Sequence, residues 1–404
     1  MNILFVNDIP FNPQYGGIER VTDVLTKELI AEYGHHVYYL SMNSITKLDY
    51  NYPAPIYAMP DGVDLEGKRQ FVKSLVERFE IDIIVNQRGQ FSHISSAVEV
   101  EGVKIINVVH SLPTAWIIAS TLYYFSLNGN SIRAKVKCVI KHLLYPFFYF
   151  KVKREMSRIY ANQYRYILEH NHATVLLSNK YIEEIAKLLK QDLSNYNIVG
   201  IPNPNTFKDV EYRPHLKKKE ILYVGRFDRI EKSPIRLIKI WEKIYRHHPE
   251  WTLVMVGGGD YENVMHDYIK RRGVDRVRFE GVQTNVSLYY ERASFICLTS
   301  NFEGWGMALT EGMQYGCIPF TFNNYGAASD IIDDNVSGCL IRPFDLGEYS
   351  AQLSKLMTND NLRKEMSYAA FLKAKEFDVT NVVKKWDEML RKLYDNSKHA
   401  CSQK

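Results

Sequence analysis

The sequence predicts an α/β protein made of two doubly wound, parallel-sheet domains that face a cleft. Three observations predict it. Short runs of Ile, Val and Leu recur along the 404 residues without in–out alternation, as in strands buried on both faces. Each run leads into a segment whose apolar residues have helical spacing. The series then repeats after a Pro- and Asn-rich stretch at 200–205, which reads as a link between domains of similar size.

In chain order, residues 2–6 form the first apolar run, and a turn-rich loop at 7–17 follows. Val21, Val24, Leu25 and Leu29 place a helix over 18–33, before a strand at 36–40. Further strands are predicted at 81–85, 103–109 and 174–177. Between the last two, an insertion at about 113–160 breaks the rhythm. The second series has strands at 220–224, 252–256, 277–279, 295–298 and 318–322. Ser233 and Pro234 read as N-cap and first residue of one of its helices. An amphipathic stretch at 383–393 predicts a closing helix. The domains are therefore drawn as 1–202 and 203–376, with 377–404 packing back on the first.

A hydrophobic fraction of 46% with 24% charged residues excludes a disordered, collagenous or disulfide-scaffold chain. Five scattered cysteines without a CxxC pair argue against a zinc site and fit a reducing compartment. No apolar run reaches the ~18 residues of a membrane span. The first residues, MNILFVND, lack the pattern of a signal peptide. A cytoplasmic protein is expected.

The net charge of +5 is too mild to argue for nucleic acid. Its distribution says more. Residues 131–160 hold eight basic side chains against one acid, so this stretch carries +7 and the rest of the chain −2. The same stretch contains Tyr145, Phe147, Phe148, Tyr149 and Phe150, with Pro146 expected to break it into two helical pieces. Cations around an aromatic centre suit an anionic membrane surface, which would make the protein peripheral on the inner face of the cytoplasmic membrane. Packing of these aromatics within their own domain is the alternative.

Three motifs carry chemistry. The stretch from Ser300 to Pro319 leaves a strand, turns at Gly304 and Gly306 and starts a helix. Unpaired amides at a helix start favour anions, and glycines allow close backbone approach. Glu303 and Glu311 flank that start; carboxylates bind sugar hydroxyls well and phosphates poorly. Together they suggest a nucleotide joined to a sugar. The second motif places Arg226 after the strand-ending Gly225, with Lys232 at the next helix, two cations able to neutralise a leaving diphosphate. The third, Gly257–Gly258–Gly259, does not match GxGxxG and disfavours a dinucleotide site. Taken alone, each isolated charge is more often a cap or a solvated side chain.

The first stretch resembles the Glu-x7-Glu signature of the retaining family 4 glycosyltransferases, which have the GT-B fold. The resemblance implies that Glu311 holds ribose hydroxyls and Glu303 hydroxyls of the transferred sugar. Backbone of Gly304, Trp305, Gly306 and Met307 would face sugar and diphosphate. Arg226 and Lys232 would stabilise the diphosphate without an obligatory metal or other cofactor. Here the loop is one residue longer than usual and Ser233 replaces a common glycine, so Arg229 competes for Lys232's role. Val282 is similar to a base-facing position, Gly16 and Gly17 to an N-terminal loop that meets donor phosphates, and His110 to a histidine near sugar and acceptor. The loop Asn86–Gln87–Arg88–Gly89 is a further acceptor-side expectation. The implied activity is transfer of a hexose-type sugar, UDP-linked by family analogy, to a glycan or lipid-linked acceptor in bacterial surface polysaccharide synthesis. Rival readings are a nucleotide-sugar epimerase, which would convert donor without acceptor, and an inactive sugar-nucleotide or lipid-binding protein. Retention of Glu303, Glu311, Arg226 and Lys232 argues against the latter.

Overall fold

A computed structural model describes residues 1–44, 50–125 and 145–401. It contains two parallel sheets. The first has seven strands: β1 (Asn2–Asn7), β2 (His36–Ser41), β3 (Ile56–Ala58), β4 (Ile83–Asn86), β5 (Lys104–Val109), β6 (Ala173–Leu176) and β7 (Ile198–Gly200). Their spatial order is β3-β2-β1-β4-β5-β6-β7. The second comprises β8 (Lys218–Val224), β9 (Thr252–Val256), β10 (Val277–Gly281), β11 (Ala293–Cys297), β12 (Ile318–Phe322) and β13 (Cys339–Ile341), ordered β10-β9-β8-β11-β12-β13. Both orders reverse at the first strand, so each sheet has a switch point where the flanking loops part and leave a crevice. The architecture is that of the GT-B fold.

The central strands are continuous buried runs. Ile3 to Val6, Ile83 to Val85 and Phe295 to Cys297 are at most 1% exposed. Helices cover both faces, as burial on two sides requires. The final helix, Val379–Cys401, returns to the first domain. Its Val382, Val383, Trp386 and Leu390 join Ile3, Phe5, Val21 and Leu25 in one apolar cluster, and His35 Nε2 lies 2.7 Å from Asp387 Oδ1.

Two details differ from the sequence expectation. The three-residue strands β3, β7 and β13 lie toward the sheet edges, too short for a periodic signal. Ser233 is no N-cap: it sits in the left-handed region at φ 43°, and the helix Ile235–Ile244 begins after Pro234. A left-handed φ also gives the physical reason for a common glycine there. Pro146 lies in the first turn of the helix Tyr145–His170, where proline is tolerated, and the residues before it, on which the expected break depends, lie outside the described residues.

Of the basic stretch, residues 131–144 lie outside the described residues. The part that follows is the first half of that long helix, with Lys151, Lys153, Arg154 and Arg158 exposed. Phe150 is 67% exposed, whereas Tyr160 is buried. No helix among the described residues is long and apolar enough to cross a membrane.

Candidate active site

The carboxyl ends of β1, β4 and β5 face those of β8 and β11 across a cavity of about 510 Å³. Glu303, Glu311, Arg226, Lys232 and His110 all line it, as do Gly16 and Gly17 and the backbone from Gly304 to Met307. Sequence segments nearly 300 residues apart thus meet in one place. Val282 is elsewhere: it is 80% exposed and lines an adjoining cavity of about 700 Å³.

The C-terminal wall is a chain of charges. Arg226 Nη2 lies 2.5 Å from Glu231 Oε2, and Lys232 Nζ lies 2.7 Å from Glu231 Oε1. Lys232 also donates to both oxygens of Glu303, at 3.0 and 2.8 Å, and Ser300 donates to Glu303 at 2.6 Å. Burial disfavours the Lys232 ammonium, but Glu303 and Glu231 outweigh it and hold its pKa above the usual lysine range. The loop that carries this lysine is tied by Asp228, whose Oδ1 accepts from the amides of Glu231 and Lys232. Arg229 is exposed and does not line the cavity.

Glu311 is 2% exposed and lies in the helix Met307–Gln314. Its Oε1 accepts from Arg20 Nη1 at 3.0 Å and Thr206 Oγ1 at 2.8 Å, and its Oε2 from Tyr290 Oη at 3.0 Å. None of these partners was marked by the sequence. Arg20 carries a faint signal, lying one helical turn beyond Gly16–Gly17.

Gly304 meets the opposite wall. A Cβ there would come within 2.1 Å of the His110 carbonyl oxygen, so a side chain would force the loop off the first domain. Tyr181, fully buried, donates from the same side to the Gly304 carbonyl at 2.8 Å. Gly306, at φ 98°, turns the chain into the helix, whose first residues point their amide end at the cavity. Trp305 is buried and packs edge-on against Phe377. Gly257 serves the neighbouring turn: at φ 137°, its Cβ would lie 1.9 Å from the Gly225 carbonyl oxygen.

The first domain lines the cavity with Gly16, Gly17, Arg20, Arg88 and His110, over a layer of buried carboxamides. In that layer Asn7, Asn86, Gln87 and Asn107, all 0% exposed, lie at or near the carboxyl ends of three adjacent strands. Asn86 donates to Asn107 at 2.8 Å, and Gln87 Oε1 lies 2.5 Å from His110 Nε2. Burial, helped by Arg88 and opposed by Asn203, pushes the His110 pKa down to about 3, so the ring is neutral at physiological pH. Arg88 is held by Asp8 at 2.7 Å and also faces the cavity. Among the described residues, no group of three or more His, Cys, Asp or Glu side chains is arranged to hold a metal.

Such a site offers acceptors for sugar hydroxyls beside cations and helix amides suited to phosphate. Residues 205–373 match the family "Glycosyl transferases group 1". An uncharacterized glycosyltransferase of Haemophilus influenzae is 27% identical over 264 residues, covering 64% of this chain and 72% of that one. A Campylobacter jejuni protein is 26% identical over 194 residues, 47% of this chain and 54% of its own. It is named GalNAc-alpha-(1->4)-GalNAc-alpha-(1->3)-diNAcBac-PP-undecaprenol alpha-1,4-N-acetyl-D-galactosaminyltransferase, and the chain thus spans about half its length. The structure of Anabaena HepE in complex with UDP superposes with a TM-score of 0.70 at 15% identity, covering 97% of this chain and 100% of that one. Residues 205–373 are therefore similar in sequence to the glycosyl transferases group 1 family, within a chain of GT-B fold.

Proposed function

We propose that this protein is a retaining, metal-independent glycosyltransferase of bacterial surface polysaccharide synthesis, capsule or O-antigen being the fitting settings. It moves a hexose-type sugar from a UDP-sugar to a hydroxyl of a glycan or lipid-linked acceptor. The observation that carries the reading is the joint placement of Glu303, Glu311, Arg226 and Lys232 around one helix start in one cavity. In the donor complex, Glu311 accepts from ribose hydroxyls and Glu303 from hydroxyls of the sugar. The acceptor hydroxyl approaches the anomeric carbon from the face that the diphosphate leaves. The new C–O bond forms as the bond to the diphosphate breaks, and the hydroxyl proton passes to the departing phosphate oxygen. Arg226, Lys232 and the helix amides stabilise the charge that develops there, the part a divalent metal would otherwise play. His110, neutral, hydrogen-bonds sugar or acceptor and does not act as an acid.

A thermal-shift screen of nucleotide sugars tests the reading, since a ligand at 100 times its Kd stabilises by about 2.7 kcal/mol. The stabilising donor should then support transfer in EDTA with the anomeric configuration kept, read by NMR of the product. Chelator-abolished transfer restored by Mg²⁺ would refute the metal-free mechanism. A lipid-linked acceptor is met at a membrane, and the exposed Lys151, Lys153 and Arg154 beside Phe150 suit an anionic one. Binding to anionic vesicles should weaken with salt and be lost when these three become Glu, while donor binding persists. A wild type that ignores such vesicles at low salt would favour a soluble acceptor.

A further inference from the structure

The first domain sends into the cleft two cations that the proposed reaction has not used, Arg88, which is held within its own domain by Asp8, and Arg20, which reaches across to the other. Arg20, on the helix Gly17–Ala31, pairs with Glu311 across 291 residues of sequence. It also lines both the 510 Å³ and the 700 Å³ cavities, at the point where they adjoin. A nucleotide whose base lies by Val282 and whose phosphates lie by Arg226 passes this side chain.

Two counts make the present pairing temporary. A carboxylate has about four acceptor sites, and Arg20, Thr206 and Tyr290 fill three on Glu311. Two ribose hydroxyls then need one of those contacts to yield. Tyr290 is fully buried and Thr206 has a short side chain, whereas the Arg20 side chain is 38% exposed on a long stem. The second count is charge. Arg226 and Lys232 are already matched by Glu231 and Glu303, so that cluster is neutral before any diphosphate arrives. A diphosphate adds negative charge and calls for a further cation.

We propose that Arg20 is a donor-operated clamp: ribose displaces it from Glu311, and it then pairs with the diphosphate, drawing the first domain onto the nucleotide. The inference rests on the donor reading above and adds a residue of the other domain to donor recognition. Arg20 is then a donor-binding residue that favours the diphosphate complex over the nucleoside complex.

The test compares UDP with uridine on the full chain, by calorimetry and ligand-observed NMR, for wild type, Arg20→Ala, Arg20→Lys and Glu311→Gln. Arg20→Ala should weaken UDP at least tenfold while uridine binds as well as or better than to wild type, because a competitor for Glu311 has gone. The salt dependence of UDP binding should flatten in the same variant, and Arg20→Lys should restore part of the loss. Glu311→Gln should weaken both ligands. Unchanged UDP affinity in Arg20→Ala, or equal loss for UDP and uridine, overturns the clamp and leaves the donor reading standing. Failure of wild type to bind UDP, ADP, GDP, CDP or dTDP overturns the donor reading, and the clamp with it.

Discussion

The two walls of the cleft solve different problems. The C-terminal wall is ionic: Arg226, Glu231, Lys232 and Glu303 alternate in sign within ion-pair distance. The first-domain wall presents Gly16, Gly17, Arg20, Arg88 and His110 to the cavity, and behind it the fully buried Asn7, Asn86, Gln87 and Asn107 lie at or near the ends of three parallel strands. An ionic wall suits a ligand that arrives charged and leaves more charged. A wall of glycine backbone and imidazole, whose two arginines are already paired with Glu311 and Asp8, suits hydroxyl groups, which need donors and acceptors but no counter-charge. The contrast also shows in how each wall is encoded. One comes from two short contiguous motifs, the other from single residues that the parallel sheet gathers.

If the ionic wall stabilises the departing diphosphate, its innermost cation should matter most. Lys232→Ala is expected to lower kcat by roughly 10²–10³, as for other lost transition-state donors. Arg226, whose side chain is 68% exposed, should cost less, and Arg229→Ala should leave kcat unchanged. Steady-state kinetics with the stabilising donor decides this. Collapse in Arg229→Ala with full activity in Lys232→Ala would place the cation on the wrong turn of the loop.

The first-domain wall is tested by acid. His110 has a folded pKa near 3, against an ordinary value of 6.5. Below pH 6.5 the unfolded chain gains a proton that the folded chain refuses, so this site's contribution to stability is present above 6.5 and is lost as pH falls toward 3. His110→Gln should lose less stability than wild type between pH 6.5 and 4, measured by thermal melts. Identical acid dependence in the two proteins would mean that the ring is not held neutral by its surroundings.

The smallest expected effect lies in the loop that carries Lys232. Ser233 holds a left-handed φ of 43°, with its amide bonded to the Asp228 carbonyl at 2.9 Å. Ser233→Gly should relieve that strain, offset by a more flexible unfolded chain, for a net gain of about 0.5–1 kcal/mol. A lower midpoint in chemical denaturation would show that the serine is not strained.

The fold was legible because its central strands are long apolar runs and its helices have clear spacing. Strands of three residues, such as β3 and β13, left no trace, since their pairing is supplied by a neighbour already in place. Ser233–Pro234 misled for a local reason: the pair is a good helix-start signal, but the loop tied by Asp228 needs a left-handed residue just there. On the site, Glu303, Glu311, Arg226 and Lys232 were legible because each stands in a motif that folds as a unit. Arg20, Thr206, Tyr290 and Tyr181 were not. Their partners lie 291, 105, 21 and 123 residues away, and only tertiary folding brings them into contact.

The division of labour between the two carboxylates is the centre of the account, and calorimetric titration of UDP into Glu303→Ala and Glu311→Ala tests it most directly. Glu311→Ala removes the ribose acceptor and should weaken UDP at least tenfold. Glu303→Ala frees Lys232 from one of its two carboxylates, so UDP should bind as tightly as to wild type or more tightly, while transfer is lost. Equal loss of UDP affinity in both variants would contradict the assignment of ribose to one glutamate and the transferred sugar to the other.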